Sequence, residues 1–288
     1  MERPAGPVFV QLPHPKDEHN PRAVSRQPWN TGEHRRKFIR GDGRYVARDG
    51  SLGEAPLVFW GEWEAPSYVI DRRPAADSLP RCLHDPVWEH PKYSDARQNT
   101  DPWVFGDCFR YSNCKQFSQR ALRKLARGSV ILFGSTLNRE FVVDTLFVVR
   151  DSCPFVPNRI PPDTDDAFRI CTIEALRTDK KAAGFCFTLY RGATYDTPVN
   201  GLYSFVPCRR ANGERSRFHR PSVSLPLCYV NPKAWRGPSG AKEPRSIAEL
   251  CDLWEKIRKQ VLEAGCLLGV SFCTPRLDDS PIAAGLAS

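Results

Sequence analysis

The 288-residue chain has eleven cysteines but no Cys-x-x-Cys pair. That absence removes the zinc-ribbon and thioredoxin-type redox classes. Long apolar runs are missing as well. The longest candidate, residues 130–149, is broken by Asn138, Arg139, Glu140 and Asp144, which excludes a helical membrane span. No segment recurs at a fixed period, so solenoids and propellers are excluded. Regular strand–helix alternation is also missing, and with it a parallel doubly wound sheet. Residues 1–15 hold no basic stretch followed by an apolar one, so no secretory leader is expected. A cytoplasmic chain with free thiols and no membrane partner is the resulting expectation.

Negative charge is in short supply. The 42 Lys+Arg outnumber 33 Asp+Glu, giving a formal charge of +9, and residues 111–127 contain no acidic side chain at all. A surplus of this size favours an anionic partner, nucleic acid or nucleotide first. Hydrophobic residues at 41% and charged residues at 26% suit a globular chain with a real core, not a disordered, collagenous or coiled-coil one.

Residues 1–50, rich in Pro, Gly, Arg and His, read as irregular structure wrapped on the body, and 71–102 as loop. Ser112-Asn113 is placed to cap an amphipathic helix with Phe117, Ala121, Leu122 and Leu125 on one face and Gly128 at its end. Beyond it, 130–133 and 141–149 form an antiparallel hairpin around a turn at 136–139. Residues 151–167, crowded with Pro and Asp, read as a loop joining two halves, 1–150 and 168–288, of a single domain. Strands are expected at 57–60, 185–190, 201–206, 223–230 and 266–273. Ser246-Ile247-Ala248-Glu249 is a capping-box pattern that opens a helix closed by Gly265. Short strands outnumber helices, which predicts an α+β fold: a mixed, mostly antiparallel sheet or small barrel with a few packed helices.

Five constellations could carry chemistry. Trp29 and Asn30, followed by His34, Arg35, Arg36 and Lys37, combine cations with an aromatic, as phosphate and base contacts require. Trp60 and Trp63 alternate with Glu62 and Glu64. Asn99 and Asp101 carry groups able to read a base edge. Cys82, His84 and His90 match no common zinc spacing, so no metal set is assigned, and no cofactor is identified. Cys114, at the start of the expected helix, would have its thiolate favoured by free N–H groups and Lys115, which makes it the candidate nucleophile. Asp144 or His84 is the candidate proton handler, and Arg120, Arg123, Lys124 and Arg127 form a basic face. Each group also has a structural reading: core Trp, solvated arginines, a turn capped by its own side chains.

Asn113-Cys114-Lys115, the basic segment behind them, and Gly128-Ser129-Val130-Ile131-Leu132-Phe133-Gly134-Ser135 with its answering strand resemble the bacterial nucleotide-modification-associated domains, over about 40 residues. Cys114, Lys115, Gly134 and Ser135 match that pattern. Ser129 stands where the family often has Asp. The resemblance implies a small barrel-like domain and a link to modified bases. The leading expectation is therefore a nucleic-acid or nucleotide-binding protein with a part in modifying or recognising nucleobases. If it is an enzyme, the activity is transferase-like. The alternatives are a small-molecule enzyme using Cys114 and a non-catalytic interaction protein.

Overall fold

A computed structural model describes residues 6–21, 26–32, 34–72, 80–90, 96–161, 164–211, 218–233 and 237–278. The fold is α+β and mostly antiparallel, and the described residues form two sheets, a small barrel and two helices.

The first sheet holds β1 (Phe9–Pro13), β7 (Arg110–Tyr111), β8 (Val130–Leu137), β9 (Glu140–Phe155), β10 (Phe187–Gly192) and β12 (Ser222–Val223). Its order is β1-β8-β9-β10-β7, with β12 also on β9, and only the β1–β8 pair is parallel. The second sheet holds β2 (Arg26–Gln27), β3 (Lys37–Val46), β4 (Leu52–Gly61), β5 (Ser67–Arg72), β6 (Cys82–Trp88), β11 (Val206–Arg210), β13 (Leu267–Phe272) and β14 (Arg276–Leu277). Here β3 pairs with β4, β4 with β11, β11 with β13, and β13 with β3 again. The four strands close a ring with no free edge among them, which removes the liability of unpaired N–H and C=O groups.

The β8–β9 hairpin forms as its β-branched and aromatic composition predicts, with Asn138 and Arg139 both at positive φ in its turn. Gly134 sits at a bulge in β8, where a Cβ would lie 2.2 Å from the Val142 carbonyl oxygen. The capping box also forms: Ser246 accepts from the Glu249 N–H at 3.1 Å and opens α2 (Ile247–Glu263). That helix buries Leu250, Leu253, Trp254, Ile257 and Val261 against the second of two apolar clusters. The other helix, α1, begins as Asp166–Phe168, widens to π geometry over Arg169–Glu174, and returns to α over Ala175–Arg177.

Several expectations need correction. Residues 1–50 are not irregular: β1 and β3 lie there, and Val8, Val10, Leu12, Phe38 and Ile39 are fully buried. Gly41, Asp42 and Gly43 mask the strand signal of β3, whose pairing is supplied by partners on both sides. Residues 71–102, read as loop, contain β6. Residues 151–155 continue β9 and pair with β10. The strands expected at 201–206 and 223–230 shrink to their ends at β11 and β12.

The helix expected from Ser112 does not form. Its one regular piece is a 3-10 turn at Arg120–Arg123. The buried Asp101 carboxylate takes the N–H groups of Ser112, Asn113 and Cys114, and Lys115 adopts a left-handed φ of 62° that no right-handed helix tolerates. Farther along, the Tyr190 hydroxyl accepts from the Leu125 N–H and donates to the Leu122 carbonyl, while the Gln116 side chain bonds both backbone groups of Thr188. Tertiary partners thus replace the i→i−4 ladder.

Candidate functional site

A cavity of about 640 Å³ is lined by residues that flank strands of both sheets. Its wall is assembled from six separate stretches: Pro13–Pro15 at the end of β1, His34 and Arg36 before β3, Glu62 after β4, Asn99 and Asp101, Asn113–Lys115 with Phe117, and residues between 176, at the end of α1, and 187, at the start of β10. A narrower cleft lined by Trp60, Gly61, Asp144 and Thr145 adjoins it, sharing His14, Arg36 and Glu62.

The floor is a buried charge network. Arg36, 3% exposed, sets Nη2 2.5 Å from Glu62 Oε2 and Nη1 3.5 Å from Glu64 Oε1. Asn30 donates to the other Glu64 oxygen at 2.6 Å, and Lys37, fully buried, donates to the Trp63 carbonyl at 2.5 Å. Burial pulls the Lys37 amine down to about 8. Burial also raises the Glu62 carboxyl well above its usual range; Arg36 opposes this, and the neighbouring Glu64 and Asp101 add to it. Buried ion pairs of this kind contribute little net stability, because desolvation offsets their attraction. Their concentration under a cavity points to use.

His34 Nδ1 lies 3.4 Å from Glu64 Oε1, and His34, Glu62 and Glu64 present ligand atoms all within 4.8 Å of one another. The donor set does not suit a metal ion: the Arg36 guanidinium already stands against both carboxylates as their cation. Histidine and carboxylates here serve hydrogen bonding.

Asp101, 1% exposed, organises the opposite wall. Oδ1 accepts from the Ser112 N–H at 2.7 Å and from its hydroxyl at 3.2 Å, while Oδ2 accepts from Asn113 and Cys114 at 2.8 and 2.5 Å. Burial raises this carboxyl to about 6 against the pull of those donors, so it is ionised at neutral pH. The turn it holds presents Cys114, whose Sγ lies 3.5 Å from His14 Nε2. Burial pushes the thiol up, with Asp101 and Glu62 adding to the shift, and burial holds the imidazole well below its usual range. At rest the pair is therefore a neutral thiol beside a neutral imidazole. The N–H groups that the sequence reading assigned to thiolate stabilisation are spent on Asp101, whose charge acts the other way.

The rim differs in character. Lys115, Asp179 and Lys181 are exposed there, and Phe117, 52% exposed, leans on Phe185 with ring centroids 4.7 Å apart. Two buried polar atoms of the lining residues have no hydrogen-bond partner, Asn99 Nδ2 and Arg36 Nε, both donors; Glu62 Oε2 is engaged by Arg36 Nη2.

Of the sequence candidates, His34, Arg36, Asn99, Asp101 and Cys114 meet at this cavity. Asn30 and Lys37 support it from below. Trp29 and Trp63 pack in one apolar cluster and Trp60 in the other, so none of their faces lines the main cavity. Apolar neighbours claim those rings, and Arg220 covers Trp60 at 4.4 Å. His84 is fully buried in β6, its Nδ1 3.0 Å from the Ser67 hydroxyl, beside His19 and away from Cys114's cavity. Asp144 is not at this wall; it receives the Arg220 Nε–H at 3.1 Å within the adjoining cleft. Arg35 has a partner, as does Lys124. Arg127 donates to the Arg150 carbonyl, Arg123 lies over the Phe185 ring, and Arg120 is exposed on the short 3-10 turn.

Sequence reasoning missed His14, Asn113, Phe117, Asp179 and Lys181 as lining residues. His14 lay in a stretch read as irregular, and Phe117 had been assigned to the buried face of a helix that does not form. All eleven cysteines are free thiols. Among the described residues no helix is long and apolar enough to cross a membrane. No family model, curated protein or solved structure matches this chain.

Proposed function

We propose that the chain binds a nucleotide, or one nucleotide unit of a nucleic acid, with the base in the cavity, and that it takes part in modifying or recognising that base. The observation that carries the reading is the pair of buried, unpartnered donors among the lining residues, Asn99 Nδ2 and Arg36 Nε. A buried polar atom without a partner costs about 1–3 kcal/mol, a cost a complementary ligand removes. Nucleobase edges present ring-nitrogen and carbonyl acceptors for such donors. The volume falls within the range of about 300–1,000 Å³ usual for ligand sites. Lys115 and Lys181 at the rim suit a phosphate, and Phe117, half exposed at that rim, offers a stacking face.

Titration of the four deoxynucleoside monophosphates and a short single-stranded oligonucleotide, at about 50 and about 200 mM salt, tests the reading. Expected is saturable binding that weakens with salt. Asn99→Ala lowers affinity for the monophosphates, and Phe117→Ala lowers it for the oligonucleotide by about 5- to 100-fold. Absence of binding to every ligand at the lower salt refutes it.

A further inference from the structure

Cys114 and His14 come together from positions 100 residues apart, Sγ to Nε2 at 3.5 Å, in the wall of the cavity. Each is fixed by its own backbone. The Cys114 N–H is held by Asp101, and the His14 N–H donates to the Gly134 carbonyl at 2.6 Å while its ring packs 5.0 Å from that of Phe133. Lys115, next in the chain, is held at a φ of 62°, a conformation costly for a residue with a Cβ and concentrated at working sites. A thiol within reach of an imidazole is the arrangement in which a nucleophile passes its proton to a base.

We propose that Cys114 is a covalent nucleophile, that His14 is its general base, and that the electrophile is C6 of a pyrimidine held in the cavity. The proposal deepens the nucleobase reading and rests on it. The choice of pyrimidine follows from chemistry. A thiol is a soft nucleophile that adds to the end of a conjugated C=C–C=O or C=C–C=N unit, and C5=C6 of uracil or cytosine is such a unit, without counterpart in purines.

The step balances without a second substrate. The S–H proton passes to His14 Nε2 as the S–C6 bond forms. The C5=C6 pair shifts toward C4, and the C4=O4 pair of uracil or the C4=N3 pair of cytosine moves onto O4 or N3. Glu62, facing the same cavity with its carboxyl favoured in the neutral form, supplies a proton to that atom. C5 then takes a proton from water, and the proton on O4 or N3 passes to the hydroxide left behind as the C4=O4 or C4=N3 bond is restored. In the reverse direction C5 gives its original hydrogen to the Glu62 carboxylate, the C–S pair returns to sulfur as C5=C6 re-forms, and His14 gives its proton back to sulfur. Proton transfer concerted with bond formation needs no resting thiolate, in accord with the neutral pair. The net reaction is exchange of the C5 hydrogen with solvent.

The experiment incubates the full chain with dUMP or dCMP in deuterium oxide and follows the C5–H signal by proton NMR, with binding measured in parallel. The expected result is loss of the signal with wild-type protein. It persists with Cys114→Ala and with the near-isosteric Cys114→Ser, and its loss is slowed about 100-fold or more by His14→Gln. Melting curves establish that each variant is folded. Wild-type protein that binds the nucleotide yet leaves C5–H intact overturns the proposal while the nucleobase reading stands. Exchange by Cys114→Ser at the wild-type rate also overturns it. Absence of nucleotide binding overturns both.

Discussion

Replacing Asp101 by Asn changes one atom type in the wall and should have a large effect. The carboxylate accepts four hydrogen bonds, three of them from consecutive backbone N–H groups, and is 1% exposed. An asparagine offers one carbonyl oxygen. Its amide would turn two N–H donors toward the other pair of donors, leaving those without an acceptor. Hydrogen bonds to a charged group contribute about 1.5–3 kcal/mol each, so losing two costs about 3–6 kcal/mol at pH 7. Native domains are stable by only about 5–15 kcal/mol in all, so the loss is visible in a urea unfolding curve. The turn bearing Cys114 should also loosen, and iodoacetamide should label Cys114 faster than in wild type. A loss below about 1 kcal/mol, with unchanged labelling, would mean that Asp101 does not hold the turn and would refute the reasoning.

Acid stability should report on His84. Burial holds its imidazole down to about 2, with Lys37 and His19 pressing the same way, whereas the unfolded chain takes up the proton near 6.5. Its contribution is present above about 6.5 and is lost as pH falls, by about 3 kcal/mol at pH 4. His84→Asn should therefore show a flatter stability profile between pH 7 and 4 than wild type; equal slopes would contradict this. In the adjoining cleft, Asp144→Ala strands the buried Arg220 and should cost about 3–5 kcal/mol, while Asp144→Leu combined with Arg220→Met should recover most of it in denaturant titration. Gly134→Ala drives a methyl into the Val142 carbonyl at the β8 bulge and should lower stability by at least about 1–3 kcal/mol; an unchanged melting temperature would show that the bulge relaxes freely.

How far the structure could be read from sequence depended on whether a segment's partners lie near it in the chain. The β8–β9 hairpin and α2 carry their instructions locally, in β-branched alternation and in a capping box, and both form. β3 holds its shape through β4 and β13, so its Gly41-Asp42-Gly43 centre conceals it. The segment from Ser112 has helical spacing, but a carboxylate eleven residues upstream and the Thr188 and Tyr190 side chains of β10 take its backbone groups instead. The site follows the same rule. His34, Arg36, Asn99, Asp101 and Cys114 were identifiable as chemistry-bearing side chains. That His14 stands beside Cys114 depends on the parallel pairing of β1 with β8, which no local pattern announces.

The closed ring of β3, β4, β11 and β13 has a bearing on synthesis. Its first two staves leave the ribosome early and its last, Leu267–Phe272, among the final quarter of the chain. Until that stave emerges, the nascent protein carries the exposed borders of β3 and β11, open to any passing strand. A fragment stopping short of residue 267 would lack the closing piece altogether, however much of the cavity wall it contained.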